Sequence, residues 1–171
     1  RLRRQRQMCI RDRLETYDEI EIRQYEASLV TSVQLSSNDY KKSSSKGFSI
    51  LAGYIFGGND KNEKIAMTSP VSMTLKDSTT MMFLVPKKYS KENLPTPNDA
   101  SIEFKNVPAK KVAAISFGGW ANDAKINLYK RKLIAALDSK GIGYTNSFSF
   151  LGYNAPVEVF NRKNEIIVEL E

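Results

Sequence analysis

Residues 20–33 read IEIRQYEASLVTSV, and residues 102–115 read IEFKNVPAKKVAAI. The two stretches align without a gap, with isoleucine, glutamate and a basic residue at matching positions. Further along the chain, SPV at residues 69–71 matches APV at residues 155–157. Two strand-forming segments can match by coincidence, but several matches in the same order favour a duplication. The sequence therefore predicts two similar halves that share one core.

Each predicted half contains strands, then a helix, then further strands. In the first half, residues 19–34 are rich in isoleucine and valine and are typical of extended chain. A polar loop follows, and a helix is expected over 47–56, because apolar residues recur there at helical spacing. That apolar face consists of Phe48, Leu51, Ala52 and Ile55. Gly57 can end this helix, since glycine adopts the left-handed conformation at low cost. The half closes with paired strands expected at 65–75 and 79–85.

The second half repeats this order after a linker at residues 94–99, LPTPND. Asn122 or Asp123 can cap a helix that runs to about Lys140, and Gly141 can end it. The other expected elements are strands at 102–117, 144–153 and 165–170. The fold class predicted from this order is α+β: a distorted antiparallel β-barrel or sheet built from two pseudo-symmetric repeats, with two flanking helices. The half-repeats span about 14–93 and 100–171.

The net charge of +7 is concentrated at the start of the chain. Residues 1–13, RLRRQRQMCIRDR, carry six arginines and one aspartate, and they include Cys9, the only cysteine. Such a tract can serve as a basic arm for RNA or acidic lipid. We favour a tract that is foreign to the domain, with a single domain over 14–171. Because the tract has no apolar segment of a secretory signal, we expect a cytoplasmic protein, although a lost N-terminal targeting segment stays open.

Two further patterns bear on binding. The glycines at 57–58 follow the predicted helix, whereas a phosphate loop precedes a helix N-terminus, so they indicate a turn. The basic residues of 125–133 interleave with an apolar stripe, as expected of a solvated helix face, so nucleic acid is not an expected partner. No run of the sequence reaches the roughly 18 apolar residues of a membrane helix, and oligomeric state is left open.

Three stretches resemble signatures of the SOUL heme-binding protein family. They are YDEIEIRQYEASLV at 17–30, YIFGGNDKNEKIAMTSPV at 54–71 and LGYNAPVEVFNRKNEIIV at 151–168. The resemblance implies a distorted antiparallel barrel of two similar halves with two helices. It also implies binding of heme or another porphyrin.

The resemblance also implies site residues. The family's apolar contact face on the first helix matches Phe48, Leu51, Ala52 and Ile55. Gln24 stands where one member has a proposed histidine ligand, and this chain contains no histidine. Basic residues proposed to meet heme propionates have neighbours here in Lys46, Lys41 and Arg162. We therefore expect cofactor contacts from Phe48, Leu51, Ala52, Ile55, Lys46 and Gln24, and no metal ligand.

The leading hypothesis is a non-enzymatic heme- or tetrapyrrole-binding or carrier protein that uses an apolar surface cleft without histidine ligation. The alternative is a general small-molecule effector-binding domain of the same two-repeat architecture. An enzyme is not expected, because the body of the chain offers neither histidine nor a nucleophilic cysteine, and the matched Glu21 and Glu103 are interpreted as exposed strand residues. Four methionines carry thioethers that can ligate iron, but methionine in a strand is typically a core residue, and we interpret them so: Met67, Met73, Met81 and Met82.

Overall fold

A computed structural model describes residues 10–154 and 158–171, and it confirms an α+β fold. Antiparallel strands form one sheet, and two helices pack on one of its faces. In chain order the elements are β1 (Ile10–Thr16), β2 (Ile20–Tyr25), β3 (Ser28–Leu35), α1 (Tyr40–Ile55), β4 (Val71–Thr74), β5 (Thr79–Leu84), β6 (Ile102–Val107), β7 (Lys110–Gly118), α2 (Asp123–Lys140), β8 (Tyr144–Gly152) and β9 (Lys163–Leu170).

The sheet has nine strands in the order β1-β2-β7-β9-β8-β4-β5-β3-β6. Because β1 and β6 lie at opposite ends, the sheet is not closed, so the predicted antiparallel sheet is confirmed and a closed barrel is not formed. Without β1, the sheet order is symmetric about its middle. The strands at matching distances from the two ends are β2 and β6, β7 and β3, β9 and β5, and β8 and β4, so each strand of one half corresponds to one strand of the other. This order agrees with a duplication, but topology does not measure how alike the halves are, so the two-repeat symmetry stays a prediction.

The first strand includes part of the basic tract. Ile10 pairs with Tyr25 and Thr16 pairs with Glu21 on β2. The structure thus places residues 10–13 in the sheet, although the sequence analysis assigned them to a foreign tract. Residues 1–9, with Cys9, and the APV motif at 155–157 lie outside the described residues.

The helix α1 begins seven residues earlier than predicted. Asp39 caps it, because its carboxylate accepts a hydrogen bond from the Lys42 amide at 2.9 Å. Ser43, on the first turns, is buried and donates to the Ser37 carbonyl. Serine and aspartate are typical of loops, so the sequence pattern concealed about two helical turns here. At the other end Gly57 has φ +115°, and the glycines form the helix exit, as predicted.

The helix α2 follows the predicted boundaries. The Asn122 side chain accepts from the Lys125 amide at 2.8 Å, and Gly141 ends the helix in the left-handed conformation with φ +66°. The carboxylate of Asp123 also accepts from the Tyr40 amide at 3.2 Å. This bond brings the N-termini of α1 and α2 together at one end of the molecule.

The main core lies between the helices and the sheet. Here α1 packs on β3 and β5, while α2 packs on β7 and β9. Leu51, Leu133 and Leu137 are fully buried in this layer. Neither helix in the described part of the chain is long and apolar enough to cross a membrane. The cytoplasmic location stays a prediction.

The opposite face of the sheet holds a second, smaller core. It contains Val112, Ala114 and Ile167, which alternate along their strands with residues of the main core. A buried ion pair lies on the same face: Arg23 donates two hydrogen bonds of 2.8 Å to the carboxylate of Glu165. Glu165 has no exposed surface and Arg23 has 3%. We call this group the Arg23–Glu165 network.

Neighbouring side chains complete the network. The Tyr153 hydroxyl donates to Glu165 at 2.6 Å, Ser116 donates at 3.1 Å, and the Lys163 ammonium lies 3.2 Å away. Burial raises the pKa of the Glu165 carboxyl, but the hydrogen bonds and charge of Arg23 outweigh burial and lower it to about 2. Burial and the Glu165 carboxylate raise the pKa of Tyr153. Glu165 is therefore ionised and Tyr153 is a neutral donor at neutral pH.

Candidate ligand-binding site

A cleft of about 820 Å³ lies between α1 and the sheet and opens to solvent. This volume is within the range of about 300–1,000 Å³ that is usual for small-molecule sites. Its floor is apolar and comes from α1, β4, β5 and β8. The floor residues are Phe48, Ala52, Val71, Met73, Met81 and Phe150.

Strand register assembles the floor. Met73 of β4 lies opposite Met81 of β5 on one side and opposite Phe150 of β8 on the other. Residues directly opposite in register point to the same face of a sheet, so the three side chains form a continuous apolar surface. Phe48 reaches this surface from α1.

The rim of the cleft is polar and partly cationic. Lys41 lies on the first turn of α1, and Arg162 lies on the segment before β9. The Arg162 guanidinium stacks over the ring of Trp120, 4.1 Å from its centroid, and Trp120 is 54% exposed. Tyr40 packs edge-on against Phe150, with ring centroids 5.2 Å apart. Burial raises the pKa of Tyr40, so its hydroxyl is protonated at neutral pH.

Asn164 positions one part of this rim. Its side chain is 3% exposed and donates to the Gly119 carbonyl at 2.8 Å. Gly119 precedes Trp120 in the loop between β7 and α2. Because the donor sits on the rigid strand β9, this bond fixes the loop that carries the exposed indole.

The structure divides the predicted apolar face of α1. Phe48 and Ala52 line the cleft, whereas Leu51 and Ile55 are buried in the main core, with 0% and 4% exposure. Successive residues of an α-helix lie about 100° apart, so Leu51 and Ala52 face different surroundings. Helical periodicity shows that a face is apolar, but it does not show where core ends and cleft begins.

The other two predicted contacts do not come to the cleft. Lys46 is exposed and is not among the lining residues. Gln24 lies on β2, between Asp12 and Lys111 of the neighbouring strands, and its amide donates to the Tyr25 carbonyl. β2 is three strand spacings from β8, or about 14 Å. A role for either residue in ligand binding stays a prediction.

Several lining residues were missed by sequence reasoning. Phe150, Val71 and Trp120 carry no local motif, and their meeting depends on strand register and on a loop held by Asn164. Tyr40 lies in a segment that the sequence predicts as a loop, because the serine-rich start of α1 does not look helical, whereas Lys41 and Arg162, named from the resemblance, do line the cleft. The capping pattern of Asp39 was the one signal that indicated the earlier helix start.

No group of three or more histidine, cysteine, aspartate or glutamate side chains that could hold a metal ion occurs in the described ranges. The thioether of Met81 packs closely against α1 at Gly47. A Cβ at that glycine would lie only 3.1 Å from the Met81 sulfur. The apolar floor, with Lys41 and Arg162 on the rim, suits a flat apolar group with acidic substituents.

Comparison with solved structures defines the fold class. The C-terminal domain of EcmrR superposes with a TM-score of 0.69 at 15% identity, covering 90% of this chain and 97% of that one. A structure described as SAV2435 bound to tetraphenylphosphonium superposes with a TM-score of 0.53 at 9% identity, covering 90% and 94%. At these identities the likeness concerns the fold alone.

Sequence comparison defines the family. The family model described as SOUL heme-binding protein matches residues 10–169, so the chain belongs to that family. Heme-binding protein 1 of Xenopus laevis is 26% identical over 154 residues, which cover 85% of this chain and 80% of that protein.

Proposed function

We propose that this protein binds heme or another porphyrin in the cleft and acts as a non-enzymatic carrier, without histidine ligation. The observation that carries the proposal is an apolar floor beside a cationic rim, in a member of the SOUL heme-binding protein family. Porphyrins of this class combine a large flat apolar ring with carboxylates at one edge. The cleft offers matching surfaces for both parts.

The floor would hold the ring. Phe48 and Ala52 contact one side of a guest in the cleft, and Phe150 and Met73 contact the other. Removing apolar surface from water contributes about 25 cal/mol per Å², so the faces of a porphyrin supply substantial affinity without a metal bond. The exposed indole of Trp120 can stack on the ring where it leaves the cleft.

The rim would hold the carboxylates. Lys41 and Arg162 both line the mouth, and a charge-assisted hydrogen bond to a carboxylate is stronger than a neutral one. Tyr40 adds a protonated hydroxyl donor nearby. These cations orient the ring with its acidic edge toward solvent.

The iron would receive no imidazole from this chain, since the sequence contains no histidine. A heme in the cleft would supply a redox-active iron, but the binding energy comes from the ring and its carboxylates. Iron-free protoporphyrin should therefore bind with about the same affinity as hemin.

Two polar groups of the described cleft lining are engaged in local hydrogen bonds, as expected of a binding site. Ser44 donates its hydroxyl to the Lys41 carbonyl. The carboxylate of Asp123 accepts from the Tyr40 amide and is held at the start of two helices. General-base catalysis requires a base within hydrogen-bond reach of the nucleophile, and neither group has that arrangement.

Titration with hemin and with iron-free protoporphyrin tests the proposal. Trp120 is the only tryptophan and lies at the cleft mouth, so quenching of intrinsic fluorescence reports a guest there. We expect saturable one-to-one quenching by both compounds. If neither compound gives saturable quenching, the proposal is contradicted. If hemin binds and iron-free protoporphyrin does not, binding depends on the iron, which contradicts a site that holds the porphyrin ring alone.

A matched pair of variants locates the site. Phe48→Asp puts a charge on the floor and should weaken both porphyrins by at least about tenfold. Phe56→Asp is the control, because Phe56 is 61% exposed and lies at the opposite end of α1 from the cleft mouth. An equal loss of affinity in both variants would place the guest elsewhere.

A general effector-binding domain for amphiphilic cations is the second candidate. It is favoured by the fold shared with the structure described as bound to tetraphenylphosphonium. Lys41 and Arg162 oppose it, since they repel a positive guest and outnumber the one carboxylate in the described lining, Asp123. Displacement of protoporphyrin by tetraphenylphosphonium at similar concentration would support this second candidate instead.

A further inference from the structure

A polar side chain is buried among the apolar residues of the cleft. Asn164 is 3% exposed and is the one polar residue of the described lining that is more than nine-tenths buried. Other polar residues of that lining, such as Lys41 and Ser45, are exposed. In small-molecule sites, a few polar groups among apolar ones fix the orientation of the ligand and provide specificity. Asn164 is placed to do this here.

The amide of Asn164 is only partly used by the protein. Its nitrogen donates to the Gly119 carbonyl at 2.8 Å. Because a carbonyl only accepts, this bond also fixes which end of the amide is the oxygen. An asparagine amide has two N–H groups and one oxygen, and the described part of the chain supplies no donor to that oxygen. One N–H and the oxygen are therefore available to a guest.

Strand register leaves this amide open to the floor. Gly152 of β8 lies opposite Asn164 of β9 and has Val71 of β4 on its other side, and all three line the cleft. Residues opposite in register point to the same face of a sheet. Glycine has no side chain, so nothing at position 152 stands between Asn164 and a flat guest that lies on the floor.

The rim decides which edge of a guest reaches Asn164. Asn164 is two residues beyond Arg162, about 7 Å along an extended chain, and it is the more buried of the two. A guest whose carboxylates meet Lys41 and Arg162 at the rim turns its opposite edge into the cleft. In protoporphyrin, that edge carries only methyl, vinyl and C–H groups. A closed porphyrin therefore leaves the Asn164 amide unpaired, which is unfavourable for a buried polar group.

A linear tetrapyrrole matches both ends of the cleft. When the porphyrin ring is opened at the edge opposite its carboxylates, each end of the chain becomes a lactam, with a carbonyl beside an N–H. A lactam pairs with a side-chain amide through two hydrogen bonds, one in each direction. Its two carboxylates stay on the other edge, where they can still meet Lys41 and Arg162.

We propose that Asn164 makes the cleft prefer linear tetrapyrroles with lactam ends over closed porphyrins. The amide of Asn164 pairs with one lactam, while Lys41 and Arg162 hold the carboxylates. This inference rests on the proposed function, because it uses the same cleft, floor and rim. It adds the class of tetrapyrrole and the residue that determines specificity.

Two ligands titrated into the unsubstituted full chain test the preference. Biliverdin and iron-free protoporphyrin both carry two carboxylates, and quenching of Trp120 follows both. We expect biliverdin to bind at least about tenfold more tightly, because its lactam satisfies an amide that protoporphyrin leaves unpaired. Saturable binding of protoporphyrin with equal or weaker binding of biliverdin would overturn the preference and leave the proposed function in place. Binding of neither compound would overturn both.

A matched pair of variants assigns the preference to Asn164. Asn164→Leu removes the donor and the acceptor at similar volume and should lower the ratio of the two affinities to about one. Loss of the Gly119 bond affects both guests, so the ratio is the quantity that reports the pairing. Asn127→Leu is the control, because Asn127 is exposed on α2 outside the cleft lining, and it should keep the ratio.

An unchanged ratio in Asn164→Leu would overturn the role of Asn164. Far-ultraviolet circular dichroism checks that the variant is folded. If it does not fold, the two-ligand comparison on the unsubstituted protein still decides the preference.

Discussion

The two faces of the sheet bury different kinds of side chain. The face under the helices has an apolar core that ends at the cleft, where α1 is separated from β4 and β8. The opposite face holds the Arg23–Glu165 network, in which Arg23 of β2 and Glu165 of β9 meet across the intervening strand β7. One face leaves room for a guest, whereas at the network the protein supplies both partners itself.

This difference follows from the range and direction of the forces. Apolar contacts have no directional requirement, so a floor of Phe, Met and Val can accept any flat apolar partner. A buried carboxylate is stable only when its hydrogen bonds are made, and Arg23, Tyr153 and Ser116 make them here. We therefore expect stability to be sensitive on the network face and ligand affinity to be sensitive on the cleft face.

The largest expected effect is on the network face. Glu165→Ala leaves the buried Arg23 guanidinium with only the half-buried Glu21 carboxylate as an acidic partner and should lower the free energy of unfolding by about 3 kcal/mol. Urea denaturation measures this loss. The double variant Arg23→Met/Glu165→Leu removes both charges of the pair. It should lower the free energy of unfolding less than Glu165→Ala does. If Glu165→Ala lowers the free energy of unfolding no more than replacement of an exposed glutamate does, the network face is not the more sensitive face for stability.

Acid should weaken the same face. The folded-state pKa of Glu165 is lowered to about 2, against an ordinary value of 4.5. A lowered pKa stabilises the fold at pH values above 4.5, and this stabilisation is lost as the pH falls toward 2. The loss should be about 3 kcal/mol, at 1.36 kcal/mol per pKa unit. Denaturation of the protein and of Glu165→Gln at several pH values between 2 and 6 measures it, and parallel curves would contradict the assignment.

Two glycines of α1 test how tightly this helix packs on the sheet. A Cβ at Gly47 would lie 2.9 Å from Leu35 Cδ1 and 3.2 Å from Met81 Cβ, whereas a Cβ at Gly53 meets nothing within 4 Å. Gly53→Ala should stabilise the protein by about 0.5–1 kcal/mol through helix propensity. Gly47→Ala should destabilise it by about 1 kcal/mol, because crowding outweighs that gain. Thermal unfolding measures both, and equal shifts in Tm would show that α1 does not pack tightly at Gly47.

The smallest expected effect concerns Gln24 on β2, away from the cleft. Gln24 lies on β2, about three strand spacings from the floor, so Gln24→His should leave the absorption spectrum of added hemin unchanged. Phe150→His is the matched positive variant, since it puts an imidazole on the floor and should shift the Soret band. A shift with Gln24→His alone would move the proposed site along the sheet to β2.

Much of the architecture could be predicted from local signals. Alternating apolar residues and caps indicated α2 and the strand pairs, and the repeated IEI and IEF stretches start β2 and β6. The start of α1 could not be predicted from its serines. Ser43 is buried there because its hydroxyl donates to the Ser37 carbonyl, and a local sequence pattern does not show this contact. The open form of the sheet could not be predicted either, since closure depends on whether β1 meets β6 rather than on any strand by itself.

The candidate site was predictable only in part. Phe48 and Ala52 were found from helical periodicity, but the same pattern included Leu51 and Ile55, which the core occupies. Arg23 and Glu165 were not singled out, because they are 142 residues apart in the sequence. Side chains so distant along the chain meet through register, which local patterns do not encode.

The sequence by itself determined the α+β class, the family, most helix and strand positions, and the absence of an imidazole for any heme. It could do so because propensity, capping and residue identity are local properties. The tertiary structure decided which apolar residues border open space, which charges are buried together, and that the buried Asn164 lies in the cleft lining. These depend on strand order and register, which bring Met73, Met81 and Phe150 side by side across three strands.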